Sequence, residues 1–431
     1  MPLSRSKLII LGVAGLFILI IVLLFVGILP GLRPRQQTAA VTLNVLGIFD
    51  KPSIFQDLAN SYRQSRPKTE IKYRQLNADN YENELLNALA SPQPPDIFMF
   101  HGSWLPKHYD KILPLNESQL PLVRFRELFP TVVEQNFAPD GIIYALPLYI
   151  DTLALFYNKD IFDDKGIALP PKTWTEFQDI VSDLRELDKS GKINKAAAAI
   201  GGSNKSVNRA SDLLNLLMLQ AGTPMVDQSF TRAAFAREGE NQLKFYTQFA
   251  DAKSPYFTWN EALHYSLDNF AEETTAMIFN YAYQIPVLKD KNPFLNFAAA
   301  LMPQPSGAEK SVNYANYWGL AVSNKSRNPA AAWDFILSVT ADPETSRKYL
   351  NSTGHPPALR SLINERLNDP VLGVFARQSL TARSWPQIDN VAIENSFSKM
   401  IESVISGRLT ARQAIQQAEN EISQVMAQKR R

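Results

Sequence analysis

The 431-residue sequence contains no cysteine. That excludes disulfides, thiolate-held zinc, iron–sulfur clusters, cysteine nucleophiles and a thioether-linked lipid on a mature N-terminal cysteine. Histidine is scarce: His101, His108, His264 and His355 are the only four, and they show no metal-ligand spacing. No Gly-x-Ser-x-Gly elbow, His-Glu-x-x-His helix, phosphate loop or Gly-x-Gly-x-x-Gly turn is present. Neither sign of charge is in excess. The 44 Lys+Arg and 42 Asp+Glu leave a net charge of +2, which gives no electrostatic reason to expect a nucleic-acid partner. The adjacent carboxylates Asp163–Asp164 and Glu272–Glu273 diverge on any regular element and read as solvated charge. Catalytic carboxylate pairs are usually distant in sequence, so missing motifs do not exclude a glycosidase.

What the chain does have is apolar substance. Its hydrophobic fraction of 45% and its length suit two or three domains, or two lobes of one fold. Leu8–Leu29, "LIILGVAGLFILIIVLLFVGIL", carries no polar side chain. At about 1.5 Å per residue the run spans roughly 33 Å, enough for a bilayer. Arg5 and Lys7 precede it, so residues 1–7 are expected in the cytoplasm, 8–29 as a single transmembrane anchor, and the rest on the extracytoplasmic face. A cleaved signal peptide is the rival reading, with "QTAAV" (37–41) as a weak cleavage site. Residues 30–40 read as a tether.

Beyond the tether, Val41–Phe49 reads as a strand, Ile54–Tyr62 as a helix, Ile71–Leu76 as a strand and Tyr81–Ala90 as a helix. "SPQPP" (91–95) stops that helix, and Asp96–Phe100, "DIFMF", is a short continuous apolar strand. Alternation of this kind predicts a parallel sheet covered by helices, with ligands at the carboxyl ends of its strands. Thr173 with Glu176 and Thr410 with Gln413 form capping boxes, and Asn328–Pro329 forms a helix start. Ala196–Ile200, Met277–Phe279, Phe297–Met302 and Tyr317–Ser323 read as further strands. "ALPLYIDTLALFYNKDIF" (145–162) is mostly apolar but is interrupted by Pro147 and Asp151. It reads as two strands joined by a crossing at Ile150–Asp151, because a central strand does not tolerate an interior proline.

Four stretches carry a family resemblance: "NYENELLNALASPQPPDIFMFHGSW" (80–104), "GIIYALPLYIDTLALFYNKDIFDDKG" (141–166), "YWGLAVSNKSRNPAAAWDFILSVT" (317–340), and "TGHPPALR" (353–360) with the tail "SGRLTARQAIQQAENEI" (406–422). In order and spacing, over roughly residues 41–425, the chain resembles the solute-binding proteins of ATP-binding-cassette importers, in the maltose-binding-like group. The resemblance implies an α/β, two-lobed periplasmic-binding-protein-like fold with a ligand cleft between the lobes. It also implies a carbohydrate ligand, delivery to permease subunits in the membrane, no cofactor or metal, and a monomer. The expected division is 41–148 and 298–323 in lobe 1, 152–296 and 327–425 in lobe 2, and 149–151, 297 and 324–326 in the hinge. Many family members are held by a lipidated cysteine, which this chain replaces with its apolar run.

A sugar offers flat C–H faces to aromatic rings and hydroxyls to carboxylates and amides. Trp104, past the third strand, is the expected stacking platform of the first lobe. Asp50, past the first strand, either binds hydroxyls or sits at a helix N-terminus. Tyr149 and Asp151 flank Ile150 at the crossing and share one side, facing either the cleft or solvent. Tyr281 and Tyr283 end a second-lobe strand. Tyrosine pairs also serve ferric iron in related proteins, but no His or carboxylate set accompanies these. Trp318 and Trp385 each reach either the cleft or the core. The functions these features suggest are an anchored sugar receptor of an importer, an anchored extracellular glycosidase, and a ligand sensor on the same fold.

Overall fold

The structure, a computed structural model, describes residues 14–19 and 40–429. Of the expected anchor only 14–19 is described, and it is helical; the remainder of 8–29, residues 1–7 and the tether up to 39 lie outside the described residues. Among the described residues no helix is long and apolar enough to cross a membrane.

Thirteen strands are described: β1 Val41–Gly47, β2 Thr69–Gln75, β3 Ile97–His101, β4 Leu146–Pro147, β5 Asp151–Thr152, β6 Ala154–Asn158, β7 Glu186–Leu187, β8 Ile193–Ala198, β9 Thr275–Asn280, β10 Phe297–Ala300, β11 Asn313–Asn316, β12 Trp318–Val322 and β13 Ala382–Arg383. They form three sheets, ordered β2-β1-β3-β12-β4, β10-β6-β9-β8-β7 and β13-β11-β5. The first two are the floors of two lobes, each with its own apolar core. The third, with its short strands, spans the junction.

In the first lobe β1 runs parallel to β2 and β3. The sheet then turns mixed, because β12 and β4 add antiparallel. The first four residues of β3 are all buried, as expected of a central strand covered on both faces. Antiparallel register sets Trp318, the first residue of β12, opposite His101, the last residue of β3. A strand start thereby reaches the end of the sheet where the parallel strands finish. Gly319 lets β4 approach: a Cβ there would run into the Leu146 carbonyl oxygen and lie 2.8 Å from the Phe137 ring.

The segment 145–162 enters all three sheets in turn. Leu146–Pro147 pairs with β12, Asp151–Thr152 with β11, and Ala154–Asn158 with β9 and β10. Pro147 lies on the edge strand of its sheet, the position in which a strand tolerates proline.

The expected division of the chain needs correction. Residues 297–300, expected in the hinge and lobe 1, form β10, which pairs antiparallel with β6 in the second lobe. Residues 324–326, expected at the hinge, form a first-lobe turn: the Asn324 N–H donates to the Lys111 carbonyl at 2.9 Å and the Ser326 hydroxyl to Asp96 at 2.6 Å. The helices Pro329–Thr340 and Pro343–Thr353, expected in lobe 2, place Trp333, Phe335, Ile336 and Tyr349 in the first-lobe core. A helix that starts so soon after β12 packs back on the sheet it has just left. From Phe375 onward, apart from Ala376 and Ala382, the buried apolar residues join the second-lobe core.

The capping boxes form as the sequence predicts at Thr410, where Gln413 and Thr410 exchange backbone N–H bonds at 3.3 and 3.1 Å. At Thr173 the Glu176 carboxylate reaches one residue further back and accepts from Lys172 N at 2.7 Å. Pro329 opens its helix, but the Asn328 side chain makes no capping bond.

Candidate binding cleft

A cavity of about 930 Å³ opens between the lobes, within the size range of small-molecule sites. One wall comes from the carboxyl ends of β1 and β3 and the start of β12. The junction strand β11 with Tyr149 and His355 contributes the floor, and Arg209, Tyr283 and the stretch 389–395 form the opposite wall.

The first-lobe wall is aromatic. Trp318 has its ring centroid 5.1 Å from Trp104, 4.9 Å from His101, 5.7 Å from Tyr81 and 5.9 Å from Phe49, all edge-to-face. Tyr81 stacks on Trp104 at 5.8 Å and 15°, and its hydroxyl is tied to the Met99 carbonyl at 2.8 Å. These rings hold one another in place, so a ligand meets a preformed surface rather than loose side chains. His101 places Nε2 3.0 Å from Asn316 Oδ1 and Nδ1 2.8 Å from the Ser103 hydroxyl. Burial lowers its pKa to about 4, so it is a neutral imidazole whose Nε2–H donates to the amide oxygen.

The opposite wall is polar. Arg209 sits in the left-handed region, with φ 62°, at the start of the helix Ala210–Gln220. Its guanidinium reaches Asp212 through Nε at 2.8 Å, lies 3.7 Å from Glu394 and covers the Tyr281 ring at 5.5 Å. Burial raises the Glu394 carboxyl above its ordinary range. Between the walls, Lys107 of the first lobe bonds Glu82 and also Asp389 at 3.1 Å. His108 adds a 2.7 Å contact to Glu82. Hydrogen bonds from His108 and Lys107 hold the Glu82 carboxyl down at about 2 against the cost of burial. The Trp104 indole N–H donates to Asn390 Oδ1 at 3.3 Å, so two contacts bridge the lobes at one place.

Of the eight expected ligand residues, Trp104, Tyr149, Tyr283 and Trp318 line the cavity, and the other four do not. Asp50 is turned into the first lobe, where Oδ2 accepts from the Tyr349 hydroxyl at 3.0 Å. Phe49 takes the cavity position instead, because its φ of 58° breaks the strand alternation just before Asp50. Asp151 is 1% exposed. It accepts from Thr152 N at 2.8 Å, Ala282 N at 3.0 Å and Tyr283 N at 3.2 Å, clamping the loop after β9 to the junction. Burial pushes both carboxyls up to about 7. Tyr281 lies behind Tyr283, stacked at 5.7 Å and 13°, with its hydroxyl on Asp212 at 2.7 Å. Trp385 is core, donating to Asn215 Oδ1 at 2.9 Å. Tyr149 stacks on His355 at 3.9 Å and 12°.

Sequence reasoning missed Tyr81, Lys107, Arg209, Asp212, Asn316 and Glu394 as cleft residues. Tyr81 lies at a helix start after β2, the same end of the sheet as Trp104, and that rule could have found it. Arg209 and Asp212 had no signal beyond a helix N-terminus.

The family model described as "Bacterial extracellular solute-binding protein" matches residues 49–350. The maltotriose-binding protein of Pyrococcus abyssi is 25% identical over 359 residues, which cover 78% of this chain and 70% of that protein. Among solved structures, the sugar-binding protein MalE from Xanthomonas citri is similar with a TM-score of 0.77 and 19% identity, covering 90% of this chain and 98% of that one. A solute-binding protein of Thermotoga lettingae, solved with alpha-D-tagatose, is similar with a TM-score of 0.70 and 22% identity, covering 90% and 100%.

Proposed function

Because this chain belongs to the bacterial extracellular solute-binding proteins, in the maltose-binding-like group that serves ATP-binding-cassette importers, we propose that it captures a sugar or oligosaccharide by lobe closure and delivers it to a permease in the membrane. One observation carries the carbohydrate reading. The interlocked Tyr81–Trp104–Trp318 wall faces, across one cavity, a wall of charged and amide groups. Flat C–H faces meet the rings, and hydroxyls meet the acceptors and donors opposite. The maltotriose-binding and tagatose-bound relatives support the same class. The hinge is the short-stranded junction sheet, whose few residues absorb the backbone change on closure.

We read the protein as a receptor rather than a glycosidase. Glu82 and Asp389 are engaged by Lys107, and Asp212 by Arg209, so none of these three is free as an acid or nucleophile. The apolar run at 8–29 is proposed as a single-pass anchor that holds the lobes, as a monomer, on the extracytoplasmic face of the cytoplasmic membrane.

A ligand that binds only the folded state raises its stability with concentration, by about 2.7 kcal/mol at a hundredfold excess over Kd. A thermal-shift screen of the full chain against mono- and oligosaccharides, in a detergent without a sugar headgroup, should therefore find carbohydrates that raise Tm. A shift with an amine, phosphate ester or ferric complex and none with any carbohydrate would overturn the assignment.

A further inference from the structure

The cleft carries more negative charge than it balances. Lys107 and Arg209 are the cations that line the main cavity, against the carboxylates of Asp79, Glu82, Asp212, Asp389 and Glu394. The two histidines in its lining add no charge, because burial lowers the pKa of both His101 and His355 to about 4. Lys107 is shared by Glu82 and Asp389. Arg209 meets Asp212 through both Nε and Nη2, and Asp212 also accepts from the Tyr281 hydroxyl at 2.7 Å. Two carboxylates remain. Asp79 is exposed, so water solvates it. Glu394 lies in the first turns of the helix Asn390–Ile405, whose N-terminal residues line the second-lobe wall. Among the described residues no hydrogen bond reaches its carboxylate. Its ion-pair contact is Arg209 Nη2 at 3.7 Å, beyond hydrogen-bonding distance and already committed to Asp212. Burial raises the Glu394 carboxyl, Arg209 lowers it and the nearby Asp212 carboxylate raises it again.

A hydroxyl of a neutral sugar could donate to Glu394 but would leave its charge unbalanced. An ammonium does both. Beside a ring-lined wall and away from bulk water, that balance weighs more than it would at the surface. Resting on the carbohydrate reading above, we propose that Glu394 sets the charge of the ligand: the cleft takes a sugar bearing a free amine, whose ammonium donates to the Glu394 carboxylate, and it rejects acidic sugars. The same excess of carboxylates repels a uronate, and Arg209 does not rescue one, since Asp212 already holds its Nε and Nη2 edge.

The test is calorimetric titration of the full chain at about pH 7, where an α-amino-like group is largely protonated. The pairs are glucosamine against glucose, galactosamine against galactose, mannosamine against mannose, and chitosan disaccharide against its N-acetylated form. Maltose and maltotriose serve as further neutral sugars, and glucuronate and galacturonate as acidic ones. In at least one pair the amine should bind about tenfold or more tighter than its neutral partner, with no binding of the acids. Glu394→Gln keeps the size and removes the charge, so it should bring that ratio close to one. A general weakening of the cleft would lower both members of a pair and leave the ratio unchanged. The variant loses no hydrogen bond of the unliganded protein, so it should fold, which its Tm checks. Neutral or acidic sugars that bind as tightly as the amines, or a ratio retained in Glu394→Gln, would overturn the charge selection and leave the carbohydrate reading standing. No binding of any of these sugars would overturn both.

Discussion

Replacing Trp318 with alanine separates binding from folding at the centre of the cleft. The indole is half-buried, with its inner edge against Trp104, His101, Tyr81 and Phe49. A tryptophan offers about 150–250 Å² of surface, of which Trp318 leaves at most about a third exposed; if a sugar ring covers about 50–80 Å² of it, the lost burial is about 1.3–2 kcal/mol at about 25 cal/mol/Å². That corresponds to roughly a 10- to 30-fold rise in Kd. Losing the packed half also costs about 2–3 kcal/mol of stability, so a control is needed. Trp333 is a first-lobe tryptophan of 2% exposure, away from the cavity, that donates to the Leu113 carbonyl at 3.2 Å. Trp333→Phe should lower Tm with Kd nearly unchanged, while Trp318→Ala should raise Kd at temperatures where it remains folded. Calorimetry well below both transitions reads Kd, and urea unfolding reads stability. Equal weakening of binding by both variants would mean that affinity follows lobe stability, and the cleft-stacking reasoning would be wrong.

Asp50 offers a test by pH. Burial raises its pKa from 3.8 to about 7, so the native state holds a proton that the unfolded chain has released, and stability falls as pH rises from about 4 to about 7, at about 1.4 kcal/mol per pH unit. Asp50→Asn keeps an oxygen for the Tyr349 hydroxyl; it should out-melt wild type at pH 8 and match it near pH 4, and a constant gap would refute this. Gly319→Ala should destabilise the first lobe by about 3 kcal/mol or more in urea, since the new methyl meets the Leu146 carbonyl; a wild-type midpoint would show that β4 yields. Lys107→Met removes the cation shared by Glu82 and Asp389 across the lobes. It should weaken ligand binding by about tenfold and flatten the salt dependence, whereas an unchanged Kd would show that the bridge does not favour closure.

Much of the fold was legible because periodicity and breakers act locally. "DIFMF" has the continuous apolarity of a strand covered on both faces, and Pro147 fits only an edge. Which lobe a segment joins is decided by pairing, and pairing is not local. "FAAA" at 297–300 carries nothing that says it will add beside β6. The site was legible to the extent that strand ends could be placed. Trp104 follows from its place past the third strand, whereas Trp318, open between cleft and core in the sequence, is placed by the antiparallel register of β12, and Asp50 is turned away from the cavity after the positive φ of Phe49, which no local pattern announces. Alternation about Ile150 puts Asp151 on the side of Tyr149, toward cleft or solvent. Its actual partners are three backbone N–H groups, two of them 131 and 132 residues away, which no local pattern encodes.

The central claim is that one ligand is held by both lobes at once. Hydrogen exchange of the full chain, with and without a saturating carbohydrate taken from the thermal-shift screen, tests it most directly. The account predicts new protection at His101–Trp104 and around Trp318 in the first lobe, and at Tyr281–Tyr283 and 389–395 in the second. Protection confined to one lobe, or lying away from these stretches, would contradict it.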